Sequence, residues 1–136
     1  MLANGATLGM KKAGEDTFTN LPGLKELPDM GVEPEKVENT CLTDKVKQYE
    51  NGIGDAGNMV YKFKFDNKAE NSPYRLLRAV EKSGETVSFQ EKLKDGTTTE
   101  FDAQVAVKRT GAGVNAALEF DLSLSLQSEI KITDPA

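Results

Sequence analysis

Apolar residues recur at every second position along much of this chain, which is the period of strands rather than of helices. The longest run is Val114, Ala116, Leu118, Phe120, Leu122, Leu124 and Leu126. Asn115, Ala117, Glu119, Asp121, Ser123 and Ser125 stand between them and are mostly polar. Successive strand side chains point to opposite faces, so the run predicts one buried face and one wet face. At roughly 3.3 Å per residue such a strand spans on the order of 40 Å. Met59, Tyr61, Phe63 and Phe65 alternate with Val60, Lys62, Lys64 and Asp66 and predict a second half-buried strand. Two more strands are expected over residues 86–94 and 97–109, joined by a tight turn at Asp95-Gly96. On the second of them Phe101, Ala103, Val105 and Val107 face inward, and Glu100, Asp102 and Gln104 face the other way. Ile130 and Ile132 mark a short last strand in the C-terminal end, residues 127–136.

One segment changes period. Ser72 suits a helix N-cap and Pro73 the first helical position. Leu76, Leu77 and Val80 share one face, Lys82 suits the carboxyl end, and Gly84 can terminate the helix, so residues 72–83 read as a short amphipathic helix. Residues 1–16 have no sustained period and read as an N-terminal arm, followed by a short strand over 17–20. The segment from Leu21 to Asp29 contains Pro22 and Pro28, which restrict it to an edge or bent strand. Residues 32–58 are ambiguous, and their glycines Gly52, Gly54 and Gly57 predict a long, turn-rich loop over 40–57. The expectation is mainly β: one domain over 1–136, an antiparallel β-sandwich or open barrel with one short flanking α-helix and a long inter-strand loop.

Composition narrows function by exclusion. A net charge of −5 and a pI near 4.8 suit a phosphate-gripping protein poorly. There is no histidine, which removes the commonest general base and metal ligand. Cys41 is the only cysteine, so no disulfide forms within the chain and no thiolate cluster arises from it alone. The glycine spacing in Gly52-Ile53-Gly54-Asp55-Ala56-Gly57 departs from a dinucleotide turn, and a strand follows it. Glu100 with Asp102, and Glu119 with Asp121, are carboxylates two apart on predicted strands, which reads first as a solvated face. No catalytic residue, cofactor or metal site is expected. No stretch approaches the ~20 apolar residues of a membrane helix, and the first residues lack a signal-peptide core. The chain is therefore expected to be made in the cytosol and to leave it only as part of something larger.

The order of segments resembles the tail tube proteins of long-tailed, non-contractile bacteriophages. The likeness runs over nearly the whole chain. Leu21-Pro22-Gly23-Leu24-Lys25-Glu26-Leu27-Pro28 resembles the family's opening strand segment. Val37-Glu38-Asn39-Thr40, Leu42-Thr43-Asp44, Tyr49-Glu50-Asn51-Gly52 and Asp55-Ala56-Gly57 resemble its long loop. An alternating strand, the Ser72-Pro73 helix and a long closing strand follow in the same order. The resemblance implies a structural subunit and not an enzyme. It implies six copies per ring, rings stacked into a hollow tube, and strands from each copy lining the lumen. It makes Thr40, Leu42, Asp44, Tyr49, Gly52, Asp55 and Gly57 candidates for an inter-ring loop. Glu100, Asp102, Glu119 and Asp121 become candidates for an acidic lumen wall along which DNA slides without specific binding. Lys62 and Lys64 would then pair with carboxylates across a subunit interface. The implied partners are further copies of the chain, a tape-measure protein, a tail-tip or baseplate initiator and a tail terminator, with assembly in the host bacterial cytoplasm and no membrane. The competing readings are a ring-forming phage connector or secretion-tube component, and a monomeric β-sandwich binding module.

Overall fold

The computed structural model describes residues 1–31, 33–55 and 58–135. Among these run ten strands and one helix: β1 Thr7–Lys11, β2 Thr19–Asn20, β3 Leu24–Glu26, β4 Glu33–Glu38, β5 Tyr49–Asp55, β6 Asn58–Lys64, α1 Pro73–Ser83, β7 Val87–Lys92, β8 Thr98–Thr110, β9 Glu119–Leu126 and β10 Lys131–Thr133. An eight-stranded antiparallel sheet has the order β2-β1-β7-β8-β9-β6-β3, with β10 paired to the first residues of β8. β4 and β5 form a separate two-stranded sheet.

The sheet curls, and chain length shows why. Neighbouring strands lie ~4.8 Å apart, so the six intervals from β2 to β3 would separate them by roughly 29 Å if flat. Yet β2 ends at Asn20 and β3 begins at Leu24, a step that reaches at most about 14 Å. The intervening Leu21-Pro22-Gly23 acts as a strap. The Leu21 N–H donates to the Leu8 carbonyl at 2.8 Å on one end of the sheet, and the Lys64 N–H donates to the Gly23 carbonyl at 2.8 Å on the other. The expected open barrel is thus closed by three residues, and the Leu21 side chain is buried at the seam. Pro22 lacks an N–H, which costs nothing in a strap that completes no ladder.

The enclosed core takes its side chains from alternate positions, as the period predicted. Tyr61 and Phe63 of β6, Phe89 of β7, Phe101 and Ala103 of β8, and Phe120, Leu122 and Leu124 of β9 are buried. Phe63 stacks on Phe120 with ring centres 5.3 Å apart, and Phe89 on Phe101 at 5.9 Å. The Tyr61 hydroxyl donates to Glu91 of β7 at 2.6 Å, across the interior, although β6 and β7 are three places apart in the sheet. α1 lies against β8 with Leu77 and Val80 buried, and Tyr74 meets Phe120 edge-on at 5.4 Å. Gly84 ends the helix in the left-handed conformation, φ 73°, as its position predicted. Gly96 takes φ 100° in the turn between β7 and β8, which the Leu93 N–H closes by donating to the Thr97 carbonyl at 2.9 Å. Ser72 occupies the N-cap with extended backbone, but its side chain makes no capping bond.

Several expectations need correction. Residues 1–16 are not simply an arm, because Thr7–Lys11 is β1, paired to both β2 and β7, with Leu8 and Met10 in the core. The strand expected over 17–20 is confined to Thr19–Asn20. The long loop 40–57 is instead the outer part of a β-hairpin, since Tyr49–Asp55 pairs with Glu33–Glu38. Between Pro34 and Lys36 the register shifts, and β5 carries one residue more than β4 there. The strand expected from Val114 begins only at Glu119. Its partners β6 and β8 stop at Lys64 and Thr110, so earlier residues have no ladder to join, and Val114 and Leu118 are exposed. Ile132 lies on β10 but is exposed as well.

Candidate functional site

The functional reading rests on the surfaces. Among the described residues no group of three or more acidic or cysteine side chains is arranged to hold a metal ion. The surfaces of interest are the hairpin arm, the outer face of the sheet, and one strand edge.

The arm, β4–β5 with its tip at 39–48, leaves the barrel between β3 and β6. Its tip is held by short polar side chains. The Cys41 N–H donates to Asp44 Oδ2 at 2.8 Å, and the Asp44 N–H returns to the Cys41 carbonyl at 3.0 Å. The Gln48 N–H donates to Thr40 Oγ1 at 3.0 Å, and the Asn39 N–H donates to the Gln48 carbonyl at 2.8 Å. Thr40 and Asp44 thus shape the tip backbone, which is what Asx and Thr side chains do in turns. Leu42 is fully exposed, and Val46, Tyr49 and Val37 are largely so. Val37 and Val46 were not among the candidates, since scattered apolar residues in a polar segment give no period. Gly52 and Asp55 lie on β5. Gly57 lies outside the described residues. Cys41 is exposed.

The outer face of the sheet is polar. Glu100, Asp102, Glu119 and Asp121 all stand on it, because their neighbours Phe101, Ala103, Phe120 and Leu122 point into the core. They form two separate pairs toward opposite ends of β8. Asp121 lies between Lys62 and Lys108 in the register, with Lys62 Nζ 3.8 Å away, an ion pair too long for a hydrogen bond. Glu119 accepts from Lys25 at 2.7 Å, and that bond, with the nearby Lys62 charge, holds its carboxyl below the usual range. Within one copy Lys62 thus already faces a carboxylate of its own chain. At the other end Gln90 donates to Glu100 at 2.9 Å and Ser88 to Asp102 at 2.6 Å. Those partners are neutral.

One edge of the barrel is unpaired. β7 runs beside β8 only as far as Ala103, so β8 from Gln104 to Thr110 has no strand on that side among the described residues. α1 stands there instead, and Glu81 accepts a long hydrogen bond from the Val107 N–H at 3.3 Å.

Comparison with known proteins gives this architecture a family. A family model described as phage tail tube, TTP, lambda-like matches residues 1–125. No curated protein sequence gives a significant match. Among solved structures, the chain resembles one in the tail of an empty gene transfer agent particle, obtained by helical refinement with C6 symmetry, at TM-score 0.73 and 18% identity, over 96% of this chain and 98% of that one. A chain of the six-fold symmetrised anti-feeding prophage baseplate gives 0.72 at 12% identity, over 98% and 95%. One from the virion of a native gene transfer agent gives 0.68 at 17%, over 93% and 95%. At these identities the structures speak to fold, while the family model spans most of the chain. The chain belongs to the lambda-like phage tail tube family, and it is a structural subunit of a tail tube.

Proposed function

We propose that copies of this chain close into six-membered rings and that the rings stack into the hollow conduit through which the genome leaves. The observation that carries this is a closed barrel with one long polar outer face, from which a hairpin arm with exposed apolar side chains projects. The six-fold symmetry belongs to the similar gene transfer agent and prophage assemblies. Head-to-tail contacts between identical copies close a ring when the rotation closes, and extend a filament when it does not. A tube needs both on one subunit, and the polar face, the β8 edge and the arm supply distinct surfaces for them.

The polar face is the wall that would meet DNA. Its character is mixed rather than uniformly acidic, since Lys25, Lys62 and Lys108 stand among Glu119 and Asp121. Opposite charges interleaved at this spacing cancel within about 8 Å at physiological salt, so DNA is neither gripped nor strongly repelled. At the other end Lys131 stands opposite Glu100 in the register, so Asp102 is the carboxylate there with no lysine beside it in the ladder. Thr40, Leu42, Asp44 and Tyr49 belong to the inter-ring contact in this reading. A tape-measure protein, a tip initiator and a terminator are the partners it implies, with assembly in the host cytoplasm.

Negative-stain electron microscopy of the concentrated, purified chain tests the proposal. Hollow tubes or stacked rings are expected. A sample that stays monomeric at every concentration, and yields no tube when seeded with tail tips, overturns it.

A further inference from the structure

The strand register places the arm and one loop at opposite ends of the barrel. β6 pairs with β9 from Asn58↔Ser125 to Lys64↔Glu119. β3 runs antiparallel to β6, from Leu24 opposite Phe63 toward Glu26 opposite Lys62. The chain therefore heads away from the Lys64 end as it enters the arm, and it returns at Asn58. The loop 111–118 joins Thr110 to Glu119, which are paired beside Lys64. It caps the end that the arm leaves behind.

The two features are complementary. Leu42 and Val46 at the arm tip are exposed, and β4 and β5 pair with no strand of the barrel. Val114 in the loop is fully exposed and Leu118 partly so. Residues 111–118, Gly-Ala-Gly-Val-Asn-Ala-Ala-Leu, hold no charged side chain in a chain that is 29% charged. Around the tip, residues 39–48, Lys45 and Lys47 are offset by Asp44 and by Glu38 and Glu50, which accept from Thr40 and Asn39. Residues 65–71 lie against the loop, where the Phe65 N–H donates to the Leu118 carbonyl at 3.0 Å. Asp66 and Glu70 there are offset by Lys68 and by Arg75 of α1, whose Nε donates to Asn67 at 2.7 Å, so this side has no net charge. In a chain of net charge −5, copies repel on average, so a contact works best where uncharged apolar surfaces meet. Gly111 and Gly113 add a further sign. Neither has a positive φ, and a Cβ on either would meet nothing within 4 Å. Nothing within one copy requires glycine there.

We propose that the arm tip of one copy, through Leu42 and Val46, seats on the 111–118 loop of the next copy along the tube axis. The contact is heterologous, so each copy offers both halves and the stack propagates. It rests on the tube reading above and names the receiving surface, which that reading leaves open.

Cys41 makes the test direct, because it is the only cysteine and is exposed beside Leu42. The full-length chain carries Val114→Cys or, separately, Asn115→Cys, and is treated with a short bismaleimide before and after tube formation. A ladder of cross-linked chains is expected in tubes and not in dilute monomer, and it should vanish when Cys41→Ser is added. Lys94→Cys, on the exposed turn at the other end of the barrel, is the control. It should give roughly ten-fold less cross-linked product, as expected without a held-together pair. Tubes visible by microscopy with no ladder from either loop variant overturn the proposed contact and leave the tube reading standing. An equal ladder from Lys94→Cys also overturns it. If the unaltered chain forms no tube, the tube reading itself has failed.

Discussion

The Tyr61–Glu91 pair offers the sharpest test of the closed barrel, because it exists only if β6 and β7 face each other across one interior. Glu91 is 5% exposed, and burial pushes its carboxyl above the ordinary value of 4.5, while the Tyr61 hydrogen bond pulls it partly back. Burial, together with Glu91, pushes the Tyr61 phenol up as well, so the hydroxyl remains the donor across the working range. Below about pH 4.5 the acid is protonated in both folded and unfolded chains and has no effect on pH dependence. As pH rises from there, the unfolded chain releases its proton first, and the folded state loses stability until its own pKa is passed. Each unit of separation is worth about 1.4 kcal/mol. Glu91→Gln should therefore flatten this part of the stability–pH curve, so that wild type loses ground to it as pH rises above 4.5. Tyr61→Phe should do the reverse. It leaves the buried Glu91 carboxyl without its partner, at a cost of ~2 kcal/mol. At this chain length that lowers Tm by about 7 °C. It also raises the Glu91 pKa further, extending the sloping region upward. Urea melts of the three proteins at half-unit pH steps give the curves. If Glu91→Gln and wild type run parallel from pH 4 to 8, the carboxyl is not buried and the curl of the sheet is wrong.

Other consequences are simpler to measure. Leu21→Ala empties the seam where the strap joins the two sheet ends, and should cost about 3 kcal/mol in denaturant melts, since a buried leucine is lost from a site that cannot easily collapse. A cost under about 1 kcal/mol would mean the strap does not close the barrel. Ser72→Ala should change stability by less than about 0.5 kcal/mol, unlike an ordinary N-cap, because its buried hydroxyl makes no bond to lose. Glu81→Ala should leave the monomer's melting temperature nearly unchanged while lowering the concentration at which light scattering detects self-association. It uncovers the Val107 N–H on the open β8 edge, and an unchanged threshold would show that this edge takes no part in assembly.

Much of the barrel was legible because each core strand wears its period openly. Phe120, Leu122 and Leu124 are buried as the alternation required, and so are Tyr61 and Phe63. The helix was legible from Ser72-Pro73 and Gly84, and the β7–β8 turn from Asp95-Gly96. The failures share a cause: periodicity reports side-chain chemistry, whereas a strand also needs a neighbour. Val114 and Ala116 continue the apolar alternation past the point where β6 and β8 end, so they fall into a loop. Conversely, Leu8 and Met10 are only two apolar residues around Gly9, too few to show a period, yet β7 and β2 lie beside them and make a strand. The hairpin arm was missed for the same reason, since its apolar residues face no core. Glu91 and Thr99 are buried polar residues that strict counting could have found, for Glu91 shares parity with Val87 and Phe89, and Thr99 with Phe101 and Ala103. A buried Tyr61 hydroxyl needs a partner, and that need is the matching signal.

The strap also bears on how such a subunit stays single until it is wanted. An open sheet with two long end strands would add any neighbouring chain at either end. Here both end strands are short, two and three residues, and Leu21-Pro22-Gly23 ties them together. Among the described residues β8 beyond Ala103 is then a long edge, longer than the stretch of β6 that β3 leaves unpaired, and it is neither free nor fully satisfied. α1 lies over it, and a single 3.3 Å bond from Val107 to an exposed carboxylate occupies one of its donors. A bond of that length is weak, so an incoming strand with good ladder geometry can displace it at small cost. The arm is poised in the same sense, because its tip backbone is ordered by Thr40 and Asp44 before any partner arrives, which lowers the entropy lost on docking. A lone copy thus hides one sticky surface behind a weak latch and holds the other in a fixed shape. In the proposed tube, ring closure and stacking would then draw on separate surfaces.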